Sequence, residues 1–231
     1  MPVQQLAATG AEVERAVRRL ARGEGVVLVD DVRGVGELVF AAEHATTEMT
    51  AFAVRHGSGH LGVALTARAC TELRLPPAAV QDDLPSSQRV SVDLVGRGTG
   101  ISAADRAATI AALADPTHDP TRFTRPGHVV PYRVPSVSLP AHPTFAEAAQ
   151  TLAVLAPALC PATAFTVLVS ADRPAALANE AELRTFADEH DLALVTVSEL
   201  LMPLPRSDAP TYLVDGPRCT DHRGDGLGSG W

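Results

Sequence analysis

The sequence predicts a single α/β (α+β) domain, a mixed sheet with helical cover. Helical and strand-like hydrophobic periods alternate along most of the chain. Two Ser/Thr-x-x-Asp/Glu spacings mark helix starts, at Ser102–Asp105 and Thr144–Glu147. The 231 residues allow one domain plus a tail, long enough to bury a sizeable core.

Val13, Val17 and Leu20 share one helical face, and Gly23 and Gly25 end that helix. Val26–Val29 reads as a buried strand running into Asp30 and Asp31, and Glu37–Ala41 as a second. The loop Val32-Arg33-Gly34-Val35-Gly36 separates them. A helix over Thr47–Arg55 leads through the turn Gly57-Ser58-Gly59 into the strand Leu61–Leu65. Val90, Val92 and Leu94 alternate with polar residues, as a half-buried strand requires. Helices are then expected after Ser102 and Thr144 and over Glu180–His190, with strands at Phe165–Val169 and Leu192–Val197. Beyond Ser207 the chain loses periodicity in Asp, Gly, Pro and Arg, so we expect a domain over residues 1–206 and a flexible tail over 207–231.

Composition narrows the function. The net charge of −8 argues against nucleic acid or an anionic membrane as the main partner. All 19 basic residues are arginine, which excludes a Schiff-base lysine and a phosphate-loop lysine. Cys70, Cys160 and Cys219 are far apart and odd in number, so no disulfide framework or zinc spacing is expected. The Cys219–His222 pair supplies too few ligands for zinc, and His44, His56 and His60 show no metal spacing. With no signal-peptide pattern and no membrane-length apolar run, the expected location is cytoplasmic.

Three segments carry a resemblance. They are Gly98-Thr99-Gly100-Ile101-Ser102-Ala103-Ala104-Asp105-Arg106, then Arg125-Pro126-Gly127-His128-Val129-Val130-Pro131, and Val29-Asp30-Asp31 with Ala41-Ala42-Glu43. Together they resemble the 3,4-dihydroxy-2-butanone 4-phosphate synthase family over roughly Val13 to Leu201. The resemblance implies a homodimeric α/β enzyme of riboflavin biosynthesis. Such enzymes convert ribulose 5-phosphate to a four-carbon phosphate plus formate, using Mg²⁺, through steps that need several acid–base groups and a cation.

Against that pattern the sequence departs. Where the family writes Arg-Glu-Asn-Glu-Gly-Asp, this chain has the shorter Arg33-Gly34-Val35-Gly36-Glu37, with Glu37 at the aspartate's position. The family's Gly-His-Thr-Glu becomes Thr144-Phe145-Ala146-Glu147, so Phe145 replaces the metal histidine and His142 the preceding arginine. Thr166 or Val167 takes the place of a strand glutamate, and Gly62 that of a cysteine. These departures predict a repurposed enzyme without metal or other cofactor: a lyase, isomerase or cyclase on an unphosphorylated small molecule, in specialised metabolism. The alternatives are a non-catalytic binding or scaffold homologue and, third, residual synthase activity. The catalytic candidates are His128, which matches the family's histidine, Asp30 and Glu37. Thr99, Arg106, Arg125, His142 and Phe145 are the substrate-binding candidates, and Asp105 is assigned to helix capping.

Overall fold

The computed structural model describes residues 10–79, 87–115, 117–135, 143–156, 160–173 and 175–201. His142 and the tail from 207 lie outside these residues. Helices α1 (Ala11–Ala21), α2 (Thr47–His56), α3 (Ala67–Glu72), α4 (Ala103–Ala114), α5 (Phe145–Val154), α6 (Glu180–Glu189) and α7 (Val197–Leu201) cover an eight-stranded sheet. Its strands are β1 (Val26–Asp30), β2 (Val35–Ala41), β3 (Leu61–Thr66), β4 (Ser87–Gln88), β5 (Val92–Leu94), β6 (Phe123–Val134), β7 (Thr163–Val167) and β8 (Ala193–Thr196). The order is β4-β6-β3-β7-β2-β1-β8, with β5 also on β6. The β1/β8 and β3/β6 pairs are parallel and the rest antiparallel, so the sheet is mixed as expected.

Both faces of the sheet are buried, which is why β1 is apolar without alternation until Asp30. Val27, Val29, Leu38, Phe40, Val63 and Leu65 pack on one face with Ala53, Ile110, Leu113 and Leu183. On the other face Leu28, Val39, Ala64 and Phe165 meet Val13 and Leu20 of α1 and Ala149 and Leu152 of α5. No helix among the described residues is long and apolar enough to cross a membrane.

Several elements differ from expectation. The β1–β2 connection is a tight turn over residues 31–34, because Val35 and Gly36 join β2 opposite Asp30 and Val29. Gly34 takes the positive φ of 68° that this turn needs. The long strand β6 spans the Arg-Pro-Gly-His segment despite Pro126 and Pro131. Pro131 has no N–H to offer the ladder, yet its carbonyl accepts the Arg89 amide at 2.8 Å. Helices α3 and α7 are too short to show a period in sequence. Cys70 is a buried free thiol, whereas Cys160 is disulfide-bonded, a crosslink the sequence did not suggest.

Candidate active site

The two longest motif segments converge on Asp93, a residue the sequence reading passed over. Asp93 Oδ2 lies 2.7 Å from His128 Nδ1, and Oδ1 accepts the His128 backbone amide at 2.9 Å. An ionised carboxylate only accepts, so the Nδ1 proton points at Asp93 and Nε2 is left to exchange a proton. Asp93 is buried, while the imidazole keeps 40% of its side-chain exposure, so this histidine is held and still reachable.

Glycines make that geometry possible. A Cβ on Gly127 would fall 2.1 Å from the Val92 carbonyl carbon, so only glycine lets β5 lie against β6 here. Gly100 has φ +80°, and a Cβ there would sit 2.2 Å from Asp93 Oδ2. The Gly98-Thr99-Gly100 loop therefore closes its backbone directly over the carboxylate. Arg106 comes from the first half of α4 and is 8% exposed. Burial lowers its pKa and the Asp93 charge opposes that, so it remains a cation beside the pair. Its buried Nε has no hydrogen-bond partner. Thr99 is exposed on the loop, and Asp105 offers its amide to the Ser102 N-cap at 3.0 Å.

The other candidates occupy different places. Arg125 donates to the carbonyls of Phe123 (2.8 Å), Leu73 (3.0 Å) and Pro120 (3.3 Å), so its guanidinium braces the main chain. Asp30 is buried and its oxygens are taken: Oδ1 by the amides of Val32 (3.1 Å) and Arg33 (2.9 Å), Oδ2 by the Arg33 guanidinium. It pins the β1–β2 turn. Phe145 is half-buried at the first position of α5, after Thr144, whose cap Glu147 completes from 2.7 Å.

Glu37 is different. It is 1% exposed on the α1/α5 face of β2, and Oε2 has no hydrogen-bond partner. Burial pushes this carboxyl well above the usual range, which favours the acid form. Tyr132 lies on the same face, its hydroxyl 2.7 Å from Gln88 Nε2 and 3.1 Å from His60 Nε2. Phe165 packs 5.2 Å from the Tyr132 ring, and its own ring fills the space over Gly62. His60 and Tyr132 carry no motif signal; their pairing appears only when β3 and β6 lie side by side. In sheet order β6 and β2 are separated by β3 and β7, which places the two backbones roughly 14 Å apart. Within the chain, His128 and Glu37 therefore belong to separate clusters.

The family to which the resemblance points uses Mg²⁺, a hard cation held by oxygen ligands. Among the described residues no three His, Cys, Asp or Glu side chains converge on a metal position, and Glu37 Oε2 is the one carboxylate oxygen both buried and unpartnered. One donor is not a ligand set, so the chemistry developed below rests on the chain's own groups.

A mixed α/β domain carrying an exposed histidine oriented by a buried aspartate has an arrangement that acid–base sites of enzymes use. The family model described as 3,4-dihydroxy-2-butanone 4-phosphate synthase matches residues 14–202, and the chain belongs to that family. The riboflavin biosynthesis proteins RibBA of Mycobacterium avium and of Mycobacterium tuberculosis are each 47% identical to it over 194 residues. Those matches cover 82% of this chain and 45% of each relative, so the chain spans less than half the length of the curated relatives it matches. Among solved structures, a Candida albicans 3,4-dihydroxy-2-butanone 4-phosphate synthase aligns with a TM-score of 0.75 at 30% identity, covering 84% of this chain and 97% of that one. A synthase in complex with two magnesium ions aligns at 0.72 and 32%, covering 81% and 94%.

These matches correct the reading of the motif departures as a change of chemistry. Identity of 47% across four-fifths of the chain places it beside riboflavin biosynthesis proteins, not with a repurposed cyclase or isomerase of specialised metabolism. Independence from metal also finds no support, since a matching synthase holds two magnesium ions.

Proposed function

We propose that this chain is a 3,4-dihydroxy-2-butanone 4-phosphate synthase of riboflavin biosynthesis, releasing formate from ribulose 5-phosphate. The observation that carries the reading is the convergence of both motif segments on the Asp93–His128 pair. Enolisation moves a proton from a carbon beside the sugar carbonyl to a base. His128 Nε2 suits that role, because Asp93 holds the other ring proton and stabilises the imidazolium that forms. Arg106, with an unfilled donor beside Asp93, suits an oxygen or phosphate of the substrate. Glu37, held toward its acid form by burial, is suited to protonate a departing hydroxyl.

The roughly 14 Å between the β6 and β2 backbones further supports a homodimer in which each site combines clusters from two copies. Hydrodynamic mass in solution tests this, and a monomer at micromolar concentration counts against it.

The direct assay is formate release from ribulose 5-phosphate by the purified chain with Mg²⁺ present. We expect formate and the four-carbon phosphate in equal amounts, and a loss of about 100-fold or more in His128→Asn, the usual scale for removing a general acid or base. A folded wild-type chain that releases no formate above the uncatalysed rate overturns the proposal.

A further inference from the structure

Leu61 and Val129 are paired across β3 and β6, and both pack into the cluster that holds Ile110 and Leu113. Successive strand residues face opposite sides of a sheet, so His60 and His128, one residue earlier on each segment, stand side by side on the other face. Adjoining strands lie roughly 5 Å apart, which makes His60 the neighbour of the proposed base. Tyr132, further along β6 on the same face, leans across to it, with its hydroxyl 3.1 Å from His60 Nε2.

The hydrogen bonds fix which nitrogen of His60 carries the proton. Gln88 Nε2 donates to the Tyr132 oxygen at 2.7 Å, so the phenol's single proton turns toward His60 Nε2. An Nε2 that accepts leaves the ring proton on Nδ1, and Nδ1 has no partner among the described residues. Burial lowers the pKa of His60, and no carboxylate bonds to it, so the ring is uncharged at neutral pH. His60 thus complements His128. One ring is held by a carboxylate and suits a base; the other is held by a phenol and offers an N–H. An uncharged imidazole N–H can polarise a carbonyl oxygen without surrendering its proton.

We propose that His60 is a further substrate-contacting residue, its Nδ1–H donating to the carbonyl oxygen of the sugar while His128 removes the adjacent proton. The inference rests on the enolisation described above. His128 Nε2 takes the proton as the C–H bond breaks, and that electron pair forms the C=C bond. The carbonyl π pair moves onto oxygen, where the His60 N–H meets the developing charge.

The test uses the full chain with ribulose 5-phosphate as probe and two readouts. In ¹⁵N-labelled protein at neutral pH, the His60 ring is assigned by the signals lost in His60→Asn. It should show a protonated Nδ1 and a bare Nε2, and ribulose 5-phosphate should shift the Nδ1 resonance. In the formate assay His60→Phe should lower kcat by about 100-fold or more, the scale of one lost donor to a developing oxyanion. His60→Asn keeps an N–H near the place of Nδ1, guards against a folding failure of the Phe variant, and should stay within about tenfold of wild type. Tyr132→Phe releases the tautomer and should cost about three- to tenfold, the scale of one neutral hydrogen bond, with signals from both tautomers. The proposal is overturned by a charged or Nε2-protonated ring, or by an Nδ1 resonance that ribulose 5-phosphate leaves unmoved. A folded His60→Phe chain with kcat within about threefold of an active wild type also overturns it, and leaves the synthase reading intact. A wild-type chain that releases no formate, yet shifts His60 Nδ1 on adding ribulose 5-phosphate, rejects the synthase reading while supporting the His60 contact.

Discussion

Replacing Asp93 by Asn tests whether the aspartate orients His128 or merely fills space. The carboxylate makes two bonds to one residue, 2.7 Å to Nδ1 and 2.9 Å to the backbone amide. The amide of Asn can still accept the backbone N–H through Oδ1, but it then turns an NH₂ toward Nδ1. Two donors cannot share that contact, so the ring must adopt the tautomer with its proton on Nε2, where it cannot accept one from substrate. The lost charge-assisted bond alone is worth about 1.5–3 kcal/mol, or about 10- to 150-fold in rate. The wrong tautomer carries the loss further, toward the roughly 10,000-fold scale of a misoriented catalytic histidine. We therefore expect kcat for formate release to fall by about 100- to 10,000-fold, with KM changed far less. Folding should weaken by only about 1–3 kcal/mol, through the lost charge beside Arg106. Steady-state kinetics across about pH 5 to 9, with thermal melts on the same samples, separate the two effects. A folded variant with kcat within about threefold of wild type and an unchanged pH profile would falsify the orienting role, because that scale is well below a lost hydrogen bond.

Two further outcomes follow from buried groups. Burial favours the acid form of Glu37 in the folded chain, whereas in the unfolded chain the carboxyl releases its proton near the ordinary value of about 4.3. Its contribution is thus fully present below that pH and is lost as pH rises toward the raised folded value. Glu37→Gln should remove that decline, so melting temperatures measured against pH should fall less steeply above about pH 4.3 than in wild type. Parallel curves would show that the carboxyl is not buried as described. Its formate release should drop by about 100-fold, since the amide cannot give up a proton. Gly62→Ala would place a methyl 2.4 Å from Phe165 Cζ, and that ring is itself 4% exposed and packed by Tyr132. Overpacking should cost about 1–3 kcal/mol and lower the melting temperature by about 2–10 °C, and Phe165→Leu in the same chain should recover most of it. No loss in the single variant would mean that the ring has another place to go.

Much of the frame could be read from the residues alone. The helix that begins after Thr144 could be located because an N-cap threonine and a glutamate three residues on satisfy each other's backbone donors, a local rule needing no neighbours. The same locality let Val13, Val17 and Leu20 declare a buried helical stripe. The family was legible for a similar reason, since Gly98–Arg106 and Arg125–Pro131 are contiguous motifs. What the motif departures meant was not legible, because reading them as lost chemistry weighs positions one by one. The 47% identity weighs the whole chain.

Tertiary structure decided the rest. Asp93 carries no motif signal of its own, and it becomes the partner of His128 only because β5 is laid against β6 at Gly127, 35 residues apart in sequence. Arg125 and Asp30 look like site residues until their oxygens and nitrogens are accounted for, one in main-chain carbonyls and the other in a hairpin turn. Glu37 becomes an acid because the sheet and its helical cover remove it from water, a property of surroundings that no single residue encodes. The sequence determined the local elements and the family, since these follow from neighbours along the chain. Which charges are paired, buried or exposed was decided by contacts across the sheet, because hydrogen bonding and desolvation depend on distance in space.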